Sequence, residues 1–149
     1  MRCKMVVENP SRNELLISEL VEVWEASVKA THTFLNEGDI IALRPFVETG
    51  IKEVGILIVA FENQKPIGFM GIAHRKIEML FLEPACIGKG IGKSLITKAI
   101  HEHEVSYVDV NEQNVHAVNF YKRFGFVVFD RTEFDEQGNS SPILKMKLK

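Results

Sequence analysis

Apolar positions along this 149-residue chain recur with two periods. Cys3, Met5 and Val7 alternate with Arg2, Lys4 and Val6, which predicts an opening strand ended by Asn9-Pro10. Leu16, Leu20, Val23, Trp24 and Ser27 then fall at helical spacing. Ser11 with Glu14 three residues on has the form of a capping box for that helix, which is expected to fray near Ala30-Thr31. Residues 31–35 read as a loop that mixes aromatic and polar groups. Asn36 is positioned to cap a second helix through Ile40, Ile41, Leu43 and Phe46, and Pro45 is expected to kink or divide it.

Three apolar runs follow. Residues 55–61 predict a buried strand, residues 62–65 a hairpin turn, and residues 66–73 a second strand with Ile67, Phe69, Gly71 and Ala73 on one face. His74-Arg75-Lys76 turns the chain into a third strand over 77–82, closed by Pro84, and the three suggest an antiparallel meander. Ile91, Leu95, Ala99 and Ile100 mark a helix that ends near His103-Glu104. A strand over 105–110 leads to Asn114, a helix cap, and Ala117, Phe120, Tyr121 and Phe124 lie at helical spacing before a Gly125 stop. A strand over 127–134 and a polar loop precede the last strand. There Leu144, Met146 and Leu148 alternate with Lys145, Lys147 and Lys149, lysines that also suit a sheet edge.

The stretch between the third strand and the central helix carries the first chemistry. It reads Ile87-Gly88-Lys89-Gly90-Ile91-Gly92-Lys93-Ser94, with glycine at every second position from 88 to 92. A strand, a glycine loop and a helix N-terminus make an anion cradle, because the first-turn N–H groups and the positive end of the helix dipole point at whatever sits there. Lys89 and Lys93 oppose that dipole, a placement that makes sense if a phosphate-bearing ligand supplies negative charge. The spacing fails the Walker A pattern G-x-x-x-x-G-K-[ST], and G-x-G-x-G is not the dinucleotide fingerprint G-x-G-x-x-G. It resembles instead [QR]-x-x-G-x-[GA], the acetyl-CoA pyrophosphate loop of the GNAT N-acetyltransferases. Ile87 stands where that family has Gln or Arg, so backbone N–H groups and lysines must carry the pyrophosphate.

A second motif strengthens the resemblance. Asn111, Asn114, Ala117, Phe120, Tyr121, Gly125 and Phe126 fit N-x-x-N-x-x-A-x-x-F-Y-x-x-x-G-F, starting 19 residues after Gly92 on the next strand–helix unit. This is similar to the other GNAT hallmark, and residues 27–35 and 110–114 resemble a small bacterial branch of that family. The resemblance implies one α/β domain over residues 1–149 with the GNAT fold: a mixed, twisted sheet of about seven strands, helices on both faces, and a splayed central strand pair. It implies acetyl-CoA as co-substrate, its pantetheine arm along Leu80, Phe81 and Leu82, its pyrophosphate on residues 87–94, and Asn114 and Tyr121 near the thioester. The reaction implied is transfer of acetyl to a primary amine of a small molecule or a protein. A catalytically weak acyl-CoA sensor is the alternative that the Ile87 departure keeps open.

Amine attack on a thioester needs a neutral amine, a polarised carbonyl and a stabilised thiolate. Tyr121 is the candidate acid. At ordinary pKa values, proton transfer from tyrosine to a thiolate is uphill by roughly 2 kcal/mol, so hydrogen bonding to developing charge is the larger expected role. Glu78, His32 and His74 are the candidate bases: a carboxylate is weak unless burial raises it, and imidazole has a suitable intrinsic pKa. Trp24, His32 and Phe34 could line the acceptor pocket.

Composition narrows the remaining classes. The chain is 46% hydrophobic and 26% charged, with net charge −2, which predicts an ordinary globular protein with no general attraction to nucleic acid or membrane. No apolar run approaches the ~18 residues of a membrane span, and the N-terminus lacks a signal-peptide pattern, so the expected compartment is the cytoplasm. Cys3 and Cys86 make neither a disulfide framework nor a metal-ligand cluster, and no metal is expected. The protein is expected to work alone or as a homodimer.

Overall fold

A computed structural model describes residues 4–32, 35–135, 138 and 141–149. Seven strands form one mixed sheet in the order β1-β2-β3-β4-β5-β7-β6. They are β1 (Lys4–Glu8), β2 (Ile56–Glu62), β3 (Lys65–Ala73), β4 (Lys76–Leu82), β5 (Tyr107–Asn111), β6 (Phe126–Thr132) and β7 (Ile143–Leu148). The helices are α1 (Glu14–Thr31), α2 (Glu37–Glu53), α3 (Ile91–His103) and α4 (Val115–Arg123). A short 3-10 turn, Pro84–Cys86, follows β4. All strand pairs are antiparallel except β4–β5, which is parallel.

Two cores flank the sheet. One packs Leu20, Trp24 and Val28 of α1 and Ile51 of α2 on Leu57, Val59 and Phe69. The other packs Leu95, Ile96 and Ala99 of α3 and Val118 and Tyr121 of α4 on Met70, Ile77, Val108 and Met146. With apolar groups on both faces, β2 and β3 read as near-continuous hydrophobic runs.

Several local expectations change. The α1 cap is Asn13, whose side chain accepts from the Leu16 N–H at 2.8 Å, and not Ser11. Asn36 caps α2 as expected, in a reciprocal box with Asp39. Pro45 does not divide α2, which runs unbroken from Glu37 to Glu53. Its buried positions are Ile40 and Ile51, with Leu43 and Val47 half-buried between them, while Ile41 and Phe46 face solvent. Arg12 ends the helix from outside by donating to the carbonyls of Ile51, Lys52 and Val54; a cation there also suits the negative end of the dipole.

In β3 the expected single face breaks at a bulge: the β2 register slips between Ala60 and Phe61. Ile67 therefore joins Met70 and Ile72 in one core while Phe69 points into the other. The lysine-bearing last strand is not an edge. β7 inserts between β5 and β6, and β6 is the edge. One of the β7 lysines, Lys147, lies 5.5 Å from the Phe129 ring centroid. Cys3 lies outside the described residues.

Candidate active site

The site begins where β4 and β5 part. Their parallel pairing covers only Lys76↔Tyr107 and Ile77↔Val108. At that end the strands are stitched together. Ser106 and Tyr107 N–H groups donate to the Arg75 carbonyl, and Lys76 pairs with Asp109 at 2.6 Å. Immediately beyond, the β3–β4 register jumps from Ile72↔Ile77 to Gly71↔Met79, which leaves Glu78 as the extra residue of a bulge. A bulge bends its strand and re-aims side chains. β4 turns away, Leu80 and Leu82 join the α3 side, and Met79 and Phe81 join the α1 side.

The result is a cleft of about 760 Å³ between the diverging strands. One wall is residues 77–82 of β4, and the other is residues 108–111 of β5.

The glycine loop closes one end of this cleft. Gly88 and Gly90 have φ of +82° and +86°, and a Cβ built on either meets nothing within 4 Å. The open space and the left-handed backbone leave room for a ligand to approach the chain itself. Gly90 caps α3 with no side-chain bond, so the N–H groups of Ile91, Gly92 and Lys93 have no acceptor within the helix. The Ser94 N–H is the first to be used inside, donating to the Gly90 carbonyl at 3.0 Å. Gly92 serves a different end. It is buried, and its absent Cβ lets the Phe120 ring sit within 3.3 Å of that point.

Tyr121 enters from α4. Asn114 starts that helix by accepting from the Ala117 N–H at 3.2 Å, and the helix stops at Gly125 with φ +95°. Tyr121 is 6% exposed, packed edge-on to Phe120 and Phe126, and it lines the cleft. Burial pushes its phenol well above the ordinary tyrosine range, so it stays protonated.

His32 reaches the same cleft from the end of α1. Its Nδ1 lies 2.8 Å from Thr31 Oγ1 and its Nε2 3.3 Å from Asn114 Nδ2. Burial lowers its pKa, which favours the neutral ring.

A cleft between splayed strands, an open glycine cradle and a buried tyrosine fit an acyl-CoA enzyme. Comparison with known proteins decides the family. Residues 27–149 match the acetyltransferase (GNAT) domain family. The chain belongs to the GNAT acetyltransferases.

The peptidyl-lysine N-acetyltransferase YjaB of Escherichia coli K12 is 36% identical over 128 residues, 86% of this chain and 87% of that protein. The solution structure of apo YjaB from Escherichia coli superposes with a TM-score of 0.85 at 35% identity, covering 96% of this chain and 97% of that one. The PaiA N-acetyltransferase of Thermoplasma acidophilum, solved with coenzyme A, shares the fold with a TM-score of 0.69 at 22% identity, covering 96% and 99%. The protein is therefore an acetyl-CoA-dependent N-acetyltransferase with the GNAT fold, and acetyl-CoA is its co-substrate. That favours turnover over the sensor alternative.

The structure brings many of this acetyltransferase's sequence candidates to one place. Glu78, Leu80, Phe81, Leu82, Ile87, Gly88, Gly90, Gly92 and Lys93 line the cleft from the β4 side. Asn111, Asn114, Ala117, Phe120, Tyr121 and His32 line it as well. Others are placed elsewhere. His74 is exposed in the β3–β4 turn, at φ +52°, and does not line the cleft. Trp24 is 3% exposed in the α1–α2 core. Ile91 is a core residue, and Lys89 and Ser94 are exposed outside the cleft wall. Phe34 lies outside the described residues.

Sequence reading missed His116 and Arg123, which line the cleft from α4. Each sits one helical step or less from a motif residue, but a basic group near a helix C-terminus has an ordinary dipole explanation that hid Arg123. Among the described residues, no group of three or more His, Cys, Asp or Glu is arranged to hold a metal ion. No helix among them is long and apolar enough to cross a membrane.

Proposed function

We propose that this acetyltransferase acts on the ε-amine of protein lysines. The observation that carries this reading is the cleft itself: it begins at the β4 bulge, is lined by Met79, Leu80 and Phe81, and has the exposed Glu78 beside them in its lining. An unbranched methylene chain ending in an ammonium suits apolar walls with an exposed carboxylate among them. The peptidyl-lysine activity named for the YjaB relative supports the same acceptor class.

In the proposed mechanism, acetyl-CoA supplies the activated acetyl group. Gly88, Gly90 and the first-turn N–H groups of α3 hold its pyrophosphate, with Lys93 adding charge. Arg123 adds a second cation in the cleft. Glu78 attracts the acceptor ammonium and takes its proton, directly or through water. Tyr121 donates a hydrogen bond to the sulfur as negative charge develops there. Because burial raises the phenol, full transfer of its proton is more uphill than the ordinary values imply, and stabilisation of charge is its main work.

The test is turnover. Purified protein with acetyl-CoA and lysine-containing peptides should release CoA and yield peptides heavier by one acetyl group, on lysine, by mass spectrometry. Small polyamines and aminoglycosides assayed in parallel should be poorer acceptors. Efficient acetylation of a small amine, with none on any lysine peptide, would overturn the acceptor assignment.

A further inference from the structure

The hydrogen bonds at the open end of the cleft form a chain from Ser27 through Thr31 and His32 to Asn114. The Ala117 N–H donates to Asn114 Oδ1, so the Asn114 Nδ2 amide is the group turned toward His32. At the other end, the single hydroxyl hydrogen of Thr31 goes to the Ser27 carbonyl at 2.8 Å. Thr31 Oγ1 can then only accept at its contact with His32 Nδ1. This network fits His32 with its proton on Nδ1 and the Nε2 lone pair accepting from Asn114.

This bond joins elements that the sheet keeps apart. α1 packs on β3 and β4, and α4 packs on β5 and β6. The strands between them are paired only at their closed end. We propose that His32 is a positioning residue and not the base: as the Nδ1–H tautomer it holds the N-terminus of α4, the helix that carries Tyr121, against the end of α1 across the open wedge. The proposal rests on the acetyl-transfer reading of the cleft. The lone pair a base would need is spent on Asn114. Protonation would set an Nε2–H donor against the Asn114 N–H donor and break the tie, so the site loses alignment as His32 charges. Among the described residues, the other titratable or charged groups facing this space are Glu78 of β4, Asp109 of β5, Lys93 of α3, and His116, Tyr121 and Arg123 of α4. Asp109 is already paired with Lys76.

Nitrogen-15 NMR of the imidazoles tests this without an acceptor amine, so failure of the acetyl-transfer reading leaves this arm intact. The expected result is the Nδ1–H tautomer for His32. Asn114→Asp replaces the donating amide by a carboxylate that favours imidazolium, and should raise the His32 pKa relative to wild type. An Nε2–H tautomer, or a His32 pKa unmoved in a folded Asn114→Asp protein, would overturn the tie.

Kinetics supply the second arm. Gln at position 32 has a carbonyl that can accept from Asn114. His32→Ala should cost about tenfold in kcat, the scale of one hydrogen bond, and His32→Gln should recover most of that loss. His32→Gln should also flatten the acid limb of the pH–rate profile that His32 imposes. Equal losses on the order of 10²-fold or more in both variants would make His32 the base and overturn the positioning role.

Discussion

Tyr121 illustrates how one side chain serves two environments. Its ring is a core group against Phe120 and Phe126, and its residue also lines the cleft. Tyr121→Phe removes the hydroxyl and keeps the packing. If the hydroxyl steadies the departing thiolate, it acts in the transition state, so kcat should fall on the order of 10²-fold while the Kd for acetyl-CoA hardly moves. Wild-type kcat in the phenylalanine variant would reduce Tyr121 to a core residue.

The same burial predicts a stability trend. The folded phenol titrates above its ordinary value of 10.0, so its contribution is full below that pH and declines as pH rises beyond it. His32 runs the other way. Its folded pKa lies below 6.5, so its contribution is full above 6.5 and is lost as pH falls from there toward the folded value. Denaturant midpoints against pH should show the His32 slope in wild type and lose it in His32→Gln.

At the scale of elements, the loop into α3 separates two uses of glycine that look alike in sequence. Gly90 has a left-handed backbone and empty space beside it, so Gly90→Val meets no neighbour; its cost is strain and an obstructed cradle. Calorimetry should show lost acetyl-CoA binding with the fold retained. Gly92 instead lies under Phe120 at 3.3 Å. Gly92→Ala must push that ring by a few tenths of an ångström, so it acts through packing on Phe120 and should leave the backbone cradle open to acetyl-CoA, whereas Gly90→Val carries the cost of a β-branched residue in a left-handed backbone. Acetyl-CoA binding lost in Gly92→Ala and kept in Gly90→Val would mean the loop glycines had been assigned the wrong way round.

Why some of this could be read in the chain and some could not has a physical cause. The glycine loop, the Asn114 cap and the Phe120-Tyr121 pair are local patterns, and local geometry placed them. So did the hairpin at Asn63-Gln64, where both residues adopt positive φ. The Glu78 bulge was invisible, because a register slip depends on which strand lies alongside. The seat of β7 between β5 and β6 was invisible for the same reason: alternating Leu and Lys fits an interior strand with one open face as well as an edge. Arg12 reaching the end of α2 spans about forty residues of sequence and leaves no periodic trace. His32 could be named as a candidate from its type, but only its contact with Asn114, 82 residues away, suggests a positioning role.

At the scale of the molecule, the sheet is two half-sheets that meet along a short seam. β1 to β4 carry α1 and α2, and β5 to β7 carry α4. Between them the described contacts are the two-residue β4–β5 pairing, the Arg75 and Lys76 stitches, the shared α3 core and the His32–Asn114 tie. A ligand filling the wedge contacts both halves and binds only the folded protein. At a concentration 100-fold above its Kd, acetyl-CoA should therefore stabilise the protein by about 2.7 kcal/mol, which for a chain of this size raises Tm by about 5–10 °C. ATP has phosphates for the loop but no pantetheine arm for the wedge, and should shift Tm far less. Hydrogen exchange gives the matching local result. Amides of β4 beyond Ile77 and of β5 beyond Val108 should gain protection with acetyl-CoA, while those of β1 and β6 at the outer edges should not. Equal Tm shifts from ATP and acetyl-CoA, with protection confined to the glycine loop, would mean that only the phosphates are held and that the wedge is not the acyl site.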